Sequence, residues 1–262
     1  MGLKPASQMR PHEILEAREA SGCAFVPVSP CFEWHSWHLP VGTDALIAEG
    51  ICRAMAERVH GIYFEPLSFG LDEYRPRDQL LAWGFAAGDR VFGMRFPELP
   101  LWSEYSRAAE MRAAVGNRLE ALRQSAFRFT FLVNNHGGAG QMDLLAAMAA
   151  EWDRPEARVF SVSTYQFLTY QHPLMRVGGH AGQSETLNLM AFRPELVDLS
   201  RLPEGALEVR ATGILHHQPV IEPEYNPRHV LLSVANAIRR NIVENFVAFI
   251  ETHCGLQLRP AP

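Results

Sequence analysis

Short apolar runs alternate with longer amphipathic stretches along this chain, and this pattern is typical of a layered α/β fold. Residues 23–28 (CAFVPV) predict a first buried strand, and residues 43 to about 59 predict the helix that follows it. The same pattern predicts further strands at 61–65, 127–133 and 158–162, and further helices at 103–124, 141–152 and 229–254. We therefore expect an α/β fold in which strands and helices alternate.

Some stretches add detail to this pattern. Residues 66–102 are rich in Gly, Pro, Arg and aromatic residues without a clear period, so we expect long loops with short elements, where substrate contacts often lie. Ser103 is the expected cap of the helix at 103–124, and Thr43 or Asp44 that of the helix at 43–59. The apolar stripe of residues 229–254 should pack against the sheet or a neighbouring subunit. Nothing marks a second domain, so residues 1–262 are predicted to form one.

Composition narrows the function classes. The 262 residues are 47% hydrophobic and carry a net charge of -5, which gives no electrostatic reason to expect a nucleic-acid partner. No apolar run is long enough to cross a bilayer, and the N-terminus lacks the apolar core of a signal peptide. The four cysteines form no C-x-x-C pair, which fits a reducing compartment. We expect a cytoplasmic protein without a membrane partner.

The first group of candidate site residues lies in the loop between the first strand and the first helix. Glu33, His35, His38 and Asp44 fall within twelve residues, at the strand end where open α/β sheets bind ligands. Carboxylates mixed with imidazoles suit Zn, Mn or Fe, and Asp44 is the residue that we expect to bridge two cations. The alternative is that these residues only cap the helix and face solvent, and His38 in particular could be structural.

The second group follows the strongest predicted strand. Residues 134–138 read NNHGG, so His136 should lie at the same sheet edge as the first group, and Gly137 and Gly138 would let the backbone approach a ligand closely. A lone histidine in such a turn is more often structural. The expected position of His136 beside the first group of carboxylates and imidazoles favours a role in a metal site.

The third group, residues 178–186 (GGHAGQSET), surrounds a histidine with small residues just before a helix. His180 could carry a proton during bond cleavage, and Glu185, in the first helical turn, could ligate a metal or accept a proton. The alternative is a glycine-rich loop followed by a carboxylate that interacts with the helix dipole.

Together these stretches resemble the creatininase (creatinine amidohydrolase) family. The similar segments are EWHSWHLPVGTD at 33–44, NNHGGA at 134–139 and GHAGQSET at 179–186, in the family's order, and the resemblance extends from about residue 25 to about residue 192. It implies a three-layer α/β/α sandwich around a mostly parallel sheet and a homo-oligomer, commonly a hexamer. It also implies hydrolysis of a small, often cyclic, amide-like substrate with two divalent metal ions (Zn, Mn or Fe) per subunit.

The resemblance also implies individual roles. Glu33 and His136 would hold one metal, His35 the other, Asp44 would bridge both, and His180 matches the family's catalytic histidine. Creatininase itself carries a glutamate ligand two residues after the motif histidine, where this chain has Gly138, and Glu185 is our candidate replacement.

Three further positions depart from the family pattern, because Trp34, Ser36 and Ala139 replace the usual Gln, Gly and Asn. Together with the glutamate replaced by Gly138, these departures argue against creatinine itself as the substrate. The residues that we expect to contact substrate are Trp34, Trp37, His38, Gly137 and Gly138.

The expected reaction is attack on a carbonyl carbon by water activated between two cations, with Glu185 accepting a proton and His180 delivering one to the leaving atom. Several alternatives stay open. Some relatives resemble ring-opening C–C hydrolases of oxidised inositols such as 3-dehydro-scyllo-inosose, whose C–H face Trp34 and Trp37 could cover. Others resemble peptidases or deformylases, and a catalytically silent subunit is a further possibility. Residues 210–229, which include His216 and His217, would line the pocket or form an oligomer contact.

Overall fold

The computed structural model describes residues 3–175 and 179–256. The β-strands are β1 (Cys23–Pro27), β2 (Ile62–Tyr63), β3 (Phe129–Asn134), β4 (Arg158–Ser163), β5 (Leu207–Glu208) and β6 (Val220–Ile221). The α-helices are α1 (Pro11–Ala20), α2 (Thr43–Val59), α3 (Arg77–Ala82), α4 (Ala108–Gln124), α5 (Gln141–Trp152), α6 (Thr164–Phe167), α7 (Gln183–Phe192), α8 (Val209–Thr212) and α9 (Leu232–Cys254).

The central sheet has the strand order β2-β1-β3-β4, and every neighbouring pair in it is parallel. Cys23 of β1 pairs with Phe129 of β3, which in turn pairs with Arg158 of β4, so these three strands run in close register. Strands β5 and β6 form a separate antiparallel pair. The predicted α/β fold with a mostly parallel sheet is confirmed.

Helices cover both faces of this sheet, as its strand pattern requires. Phe25 and Phe131 point into a core shared with α2, α7 and α9, whereas Ala24 and Val26 point to the opposite side, against α4 and α5. Because β1 and β3 are buried on both faces, their sequences read as continuous apolar runs rather than as an alternation. The result is an α/β/α arrangement.

Helix α9 packs its apolar stripe on the sheet. The stripe repeats every four residues, and its buried members are Val234, Ile238, Ile242, Phe246 and Ile250. The Phe246 ring meets the rings of Phe25 and Phe131 edge-on, with centroid distances of 6.0 and 5.6 Å. Of the two expected locations for this stripe, the sheet is the one observed.

Several predicted boundaries were wrong. The helix predicted at 103–124 begins at Ala108, because Arg107 is its N-cap and the Arg107 N–H donates to Glu110. Ser103 instead accepts a hydrogen bond from the Trp34 N–H at 2.9 Å. Helix α9 begins three residues later than predicted, and α2 is preceded by Gly42 as its N-cap.

Among the described residues, no helix combines the length and the apolar character needed to cross a membrane.

Candidate metal centre

Three segments meet at the carboxyl edge of the central sheet. The loop after β1 carries Glu33 and His35, the turn after β3 carries His136, and the first turn of α7 carries Glu185. Parallel neighbouring strands end at the same edge, so the chain following β1 and the chain following β3 are held side by side. We call the residues gathered here the acid–imidazole cluster: Glu33, His35, Asp44, His136, His180 and Glu185.

Asp44 lies at the centre of this cluster. Its Oδ2 is 3.0 Å from Nδ1 of His136 and 3.9 Å from Nε2 of His35. Its other oxygen, Oδ1, accepts a hydrogen bond from the Asn135 side chain at 2.8 Å, which fixes the carboxylate plane. The carboxylate therefore faces histidines from two different segments at once.

Two sets of three metal-capable residues share Asp44. Glu33, Asp44 and His136 form one set, and His35, Asp44 and Glu185 form the other, with the ligand atoms of each set within 4.8 Å of one another. A further set of the same kind joins Glu33 and His35 with His180. The structure thus brings together all the residues that we predicted as ligands, and Glu33, His35 and Asp44 each belong to two of the three sets.

Hydrogen bonds to backbone carbonyls fix the tautomers of two of these histidines. Nε2 of His136 donates to the Leu71 carbonyl at 2.9 Å, and Nδ1 of His35 donates to the Glu33 carbonyl at 3.0 Å. The remaining nitrogens, Nδ1 of His136 and Nε2 of His35, face the carboxylates. Backbone acceptors of this kind commonly orient histidine ligands in metal sites.

Unpaired buried atoms support the same interpretation. Within the described part of the chain, His35 Nε2 and Glu33 Oε2 are buried without a hydrogen-bond partner. Buried polar atoms are nearly always paired, and an orphan needs an explanation such as an ion. Carboxylate oxygens and imidazole nitrogens are suitable ligands for Zn, Mn or Fe. These residues therefore fit a divalent metal site.

Glu33 is held by a residue that the sequence analysis missed. The Tyr105 hydroxyl donates to Glu33 Oε1 at 2.5 Å and accepts the Met94 N–H at 2.7 Å. This contact occupies one carboxylate oxygen and leaves Oε2 directed at the cluster. Tyr105 gave no signal in the sequence, because it lies between an aperiodic segment and a helix.

The charges in the cluster shift one another's pKa values. Burial opposes ionisation of Glu33, but the adjacent His136 outweighs it, so the net pKa of Glu33 is lowered well below its usual range. Burial also disfavours the charged form of His136, yet Glu33 and Asp44 together raise its pKa well above the ordinary value. In the absence of a cation, the carboxylates thus draw positive charge onto the imidazole.

Glu185 differs from the other two carboxylates. Burial raises its pKa to about 8, although the charge of His35 acts in the opposite direction. Its Oε2 accepts the Ala181 N–H at 2.5 Å and lies 3.7 Å from Nε2 of His35. Glu185 is therefore the carboxylate of the cluster best suited to hold a proton near neutral pH.

His180 is held as a neutral imidazole beside the cluster. Burial lowers its pKa to about 4, and the nearby His35, whose ring centroid is 4.2 Å away, acts in the same direction. Its Nε2 donates to the Trp34 carbonyl, so Nδ1 carries the lone pair. Its neighbour Gly178 in the sequence motif lies outside the described residues.

The turn after His136 has no room for a side chain at its second glycine. A Cβ on Gly138 would overlap both His136 Nε2 and the Leu71 carbonyl oxygen, whereas a Cβ on Gly137 would meet nothing. The glutamate that creatininase carries at this point has no counterpart here, for steric reasons as well as by sequence. Glu185 lies instead with His35 and Asp44 in one of the metal-capable sets.

The cluster opens into a cavity of about 290 Å³. All members of the cluster except His35 line it, together with Gly137, Gly138 and Gly179. The rest of the lining comes from residues that the sequence analysis did not single out. We call these residues the Arg75 wall: Asp72, Arg75, Tyr165 and Leu215.

Three predicted substrate contacts do not line this cavity. Trp34 is only 3% exposed, and its indole N–H donates to the Thr212 carbonyl at 2.7 Å, so it is a core residue. Trp37 packs edge-on against Trp34 and is 54% exposed. His38 is buried, and its Nε2 donates to the Thr186 hydroxyl at 2.9 Å. None of the three lines the cavity, and their contact with substrate stays a prediction without support from the cavity's lining.

Residues 210–229 contribute little to the cavity. Leu215 lines it, but His216 packs against His217 and Tyr225 at centroid distances of 3.9 and 5.4 Å. The His216 carbonyl accepts a hydrogen bond from the Trp83 indole at 2.7 Å, which joins this stretch to the 66–102 segment.

The fold and the cluster together define an α/β protein with a buried, metal-capable site at the carboxyl edge of a parallel sheet. The family model for creatininase, described as creatinine amidohydrolase, matches residues 7–82 and 105–229. This chain therefore belongs to the creatininase family, which indicates a metal-dependent hydrolase.

Solved structures agree with this membership at the level of the fold. A creatinine amidohydrolase (creatininase) is 17% identical with a TM-score of 0.68, and the match covers 96% of this chain and 98% of that one. A putative creatinine amidohydrolase from Bacteroides fragilis NCTC 9343 is 19% identical with a TM-score of 0.61, covering 92% of each chain. A mutant creatininase described as Zn-Zn type is 17% identical with a TM-score of 0.66, covering 95% of this chain and 98% of that one. No match was found among the curated proteins.

Proposed function

We propose that this protein is a hydrolase that binds two divalent metal ions, Zn or Mn, and opens a small cyclic amide by cleaving its C–N bond. The observation that carries the proposal is that two sets of ligands share Asp44, since one carboxylate can serve two ions. Glu33 and His136 would complete one site, and His35 and Glu185 the other. Zn and Mn are named because creatininases have been solved as Zn-Zn and as Mn forms.

The ions, when bound, would supply Lewis-acid chemistry and lower the pKa of water. The chain's own residues would then handle the proton and exclude bulk solvent. Glu185 lines the cavity beside the proposed metal sites, and its carboxylate, ionised once the ions are bound, would be the candidate acceptor for a proton of the attacking water. His180 also lines the cavity, and its Nδ1 lone pair can take up a proton and deliver it to the leaving nitrogen.

The C–C hydrolase alternative is not favoured. It depended on Trp34 and Trp37 covering the C–H face of a polyol ring, and neither residue lines the cavity. The cavity volume of about 290 Å³ also suits a small ring rather than a peptide.

The test is a panel of lactams, cyclic ureas, cyclic imides and keto-inositols, incubated with metal-loaded protein and read by mass gain of one water. We expect hydrolysis of at least one amide-type ring, dependent on added Zn²⁺ or Mn²⁺, with two ions per chain by elemental analysis. Turnover of keto-inositols alone would replace C–N with C–C cleavage, and no turnover of any ring would reject the proposal.

A further inference from the structure

One residue of the Arg75 wall differs in charge from all the others that line the cavity. Arg75 is the only lysine or arginine among the lining residues of the described chain, whereas four lining residues are carboxylates. The carboxylates Glu33, Asp44 and Glu185 are assigned to the metal ions by the proposed function. Arg75 has no part in that assignment, so its presence in the cavity needs a separate explanation.

The guanidinium of Arg75 is oriented by two contacts. Nη2 donates to Asp72 Oδ2 at 2.8 Å, and Nε donates to the Gly93 carbonyl at 3.1 Å. The Asp72 side chain is fully buried, whereas the Arg75 side chain keeps 17% exposure. A guanidinium has five N–H donors, and these contacts leave Nη1 and one N–H of Nη2 uncommitted.

The backbone holds this arrangement in place. Arg75 N–H donates to the Val91 carbonyl at 2.8 Å, and Gly93 N–H donates to the Glu73 carbonyl at 3.0 Å. Gly93 has a φ of +54, and a Cβ there would collide with the Tyr105 ring, so a glycine is required. The segment that positions Arg75 is therefore packed directly against the tyrosine that positions Glu33.

The backbone groups that orient Arg75 and Tyr105 come from a single segment. Residues 83–104 lie between the two stretches that the family model matches, and they supply both the Gly93 carbonyl and the Met94 N–H. A structural ion pair alone would account for Asp72 and Arg75. It would not account for a pre-oriented guanidinium that lines the same cavity as the acid–imidazole cluster.

We propose that Arg75 binds a carboxylate of the substrate, so that the ring opened by this protein is a cyclic amide bearing a carboxylate group. The planar guanidinium matches a planar carboxylate, and such charge-assisted hydrogen bonds are among the strongest in proteins. The inference rests on the proposed function for the ring chemistry, but the charge preference can be measured as binding alone.

The experiment compares rings that differ in one charge. The pairs are 5-oxoproline with its neutral amide, and dihydroorotate with dihydrouracil, titrated calorimetrically into Zn-loaded protein. We expect the charged member of at least one pair to bind about tenfold tighter or more, the scale of one charge-assisted hydrogen bond. Equal dissociation constants in both pairs, or no binding of any probe, would overturn the proposal.

Variants assign the preference to Arg75. Arg75→Gln should reduce the ratio of dissociation constants to about one and raise KM for a charged substrate more than it lowers kcat, with metal content unchanged. Arg90→Gln is the matched control, because Arg90 lies in the same segment, stacks on Tyr74 at 4.6 Å and does not line the cavity. A preference retained in Arg75→Gln would show that the carboxylate binds elsewhere, including on the metal ions.

Arg75→Lys keeps the charge and should retain part of the preference. A folded Lys variant without any preference for the charged ring would count against a charge interaction.

Two further outcomes separate this inference from the proposed function. Hydrolysis of charged and neutral rings at equal efficiency would leave the proposed function intact and reject the role of Arg75. Selective binding of charged rings without hydrolysis of any ring would support the role of Arg75 and reject the proposed function.

Discussion

The acid–imidazole cluster and the Arg75 wall face the same cavity but are built differently. The cluster residues follow the ends of β1 and β3 or begin α2 and α7, so the central sheet and its helices position them. The wall residues Asp72 and Arg75 lie in a loop. Hydrogen bonds between residues 73–75 and residues 91–93, which belong to a second loop, hold it in place. The sheet and its helices thus position the metal-capable groups, and loop structure positions the groups that we propose to contact the rest of the substrate.

This difference suggests that one group of residues carries out the reaction and the other selects the substrate. The cluster residues are held at a shared sheet edge, whereas the wall is held by hydrogen bonds to residues 91–93, so we expect a change in the wall to leave the cluster in place. We expect substitutions in the cluster to abolish metal binding or turnover. Substitutions in the wall should change which ring is accepted.

The largest expected effect is that of Asp44→Ala. Removal of the shared carboxylate should release the metal ions and lower activity by more than about 10³-fold, while helix content stays nearly constant. Elemental analysis and circular dichroism on the same sample would check both statements. The control is Asp72→Asn, which alters a lining carboxylate outside the cluster and should keep its metal. Full activity in Asp44→Ala would contradict the shared-ligand assignment.

His180→Ala is expected to separate chemistry from metal binding inside the cluster. The variant should keep its metal while kcat falls by about 10²–10⁴-fold, the usual contribution of a positioned proton carrier. Single-turnover kinetics with metal analysis would measure both quantities, and His12→Ala, at an exposed position in α1, is the matched control. Loss of metal from His180→Ala would instead make His180 a ligand.

Tyr105→Phe tests whether the segment beside the wall also supports the cluster. Loss of the hydroxyl frees Glu33 Oε1 and the Met94 N–H, and we expect metal affinity to fall by about tenfold, within the range for residues that orient ligands. Competition with a chelator of known affinity would measure it. Tyr74→Phe, on an exposed ring, should have no effect. An unchanged metal affinity in Tyr105→Phe would show that the Tyr105 hydroxyl is not needed to orient Glu33.

The smallest effect concerns His38, which shares the cluster's motif but not its cavity. Burial lowers the pKa of His38 to about 3, against an unfolded value near 6.5, so the unfolded chain binds more protons between these pH values. His38 therefore stabilises the fold fully above pH 6.5 and progressively less as pH falls toward 3. In His38→Gln, the free energy of unfolding should therefore fall less steeply as pH is lowered, by up to about 1.4 kcal/mol per pH unit.

Denaturant titrations of metal-free wild type and His38→Gln between pH 7 and pH 4 would measure this difference. His60→Gln, which substitutes an exposed histidine at the end of α2, supplies the control for a general histidine effect. Parallel curves for wild type and His38→Gln would show that the buried imidazole does not couple to unfolding.

The sequence predicted the cluster because its residues follow strong periodic signals. Each ligand lies within eight residues of a buried strand or a helix start, so the sequence alone indicates a shared sheet edge. The wall could not be inferred in this way. Asp72 and Arg75 lie in an aperiodic segment, and their positions depend on backbone hydrogen bonds to residues 91–93 that no local pattern encodes.

Two side chains that we predicted to contact substrate do not line the cavity, and the reason is physical. Trp34 and Trp37 neighbour ligands in the sequence, and we expected them to neighbour substrate as well. In the folded chain, the loop turns at Ser36, which has a φ of +63, and Trp34 points into the core toward Thr212. Distant partners such as Thr212 and Ser103 decide where these side chains point, and their approach depends on the whole fold.

Gly138 limits how this site could be redesigned or could have diverged. Introducing a glutamate there requires moving both the Leu71 carbonyl and the His136 ring, because both occupy the space of the new Cβ. Moving either one would break the hydrogen bond that fixes the His136 tautomer. A protein with this single substitution would therefore lose the contact that orients His136 as a ligand. A glutamate at this position would therefore need a second change, in the segment that carries Leu71, before His136 could keep its orientation.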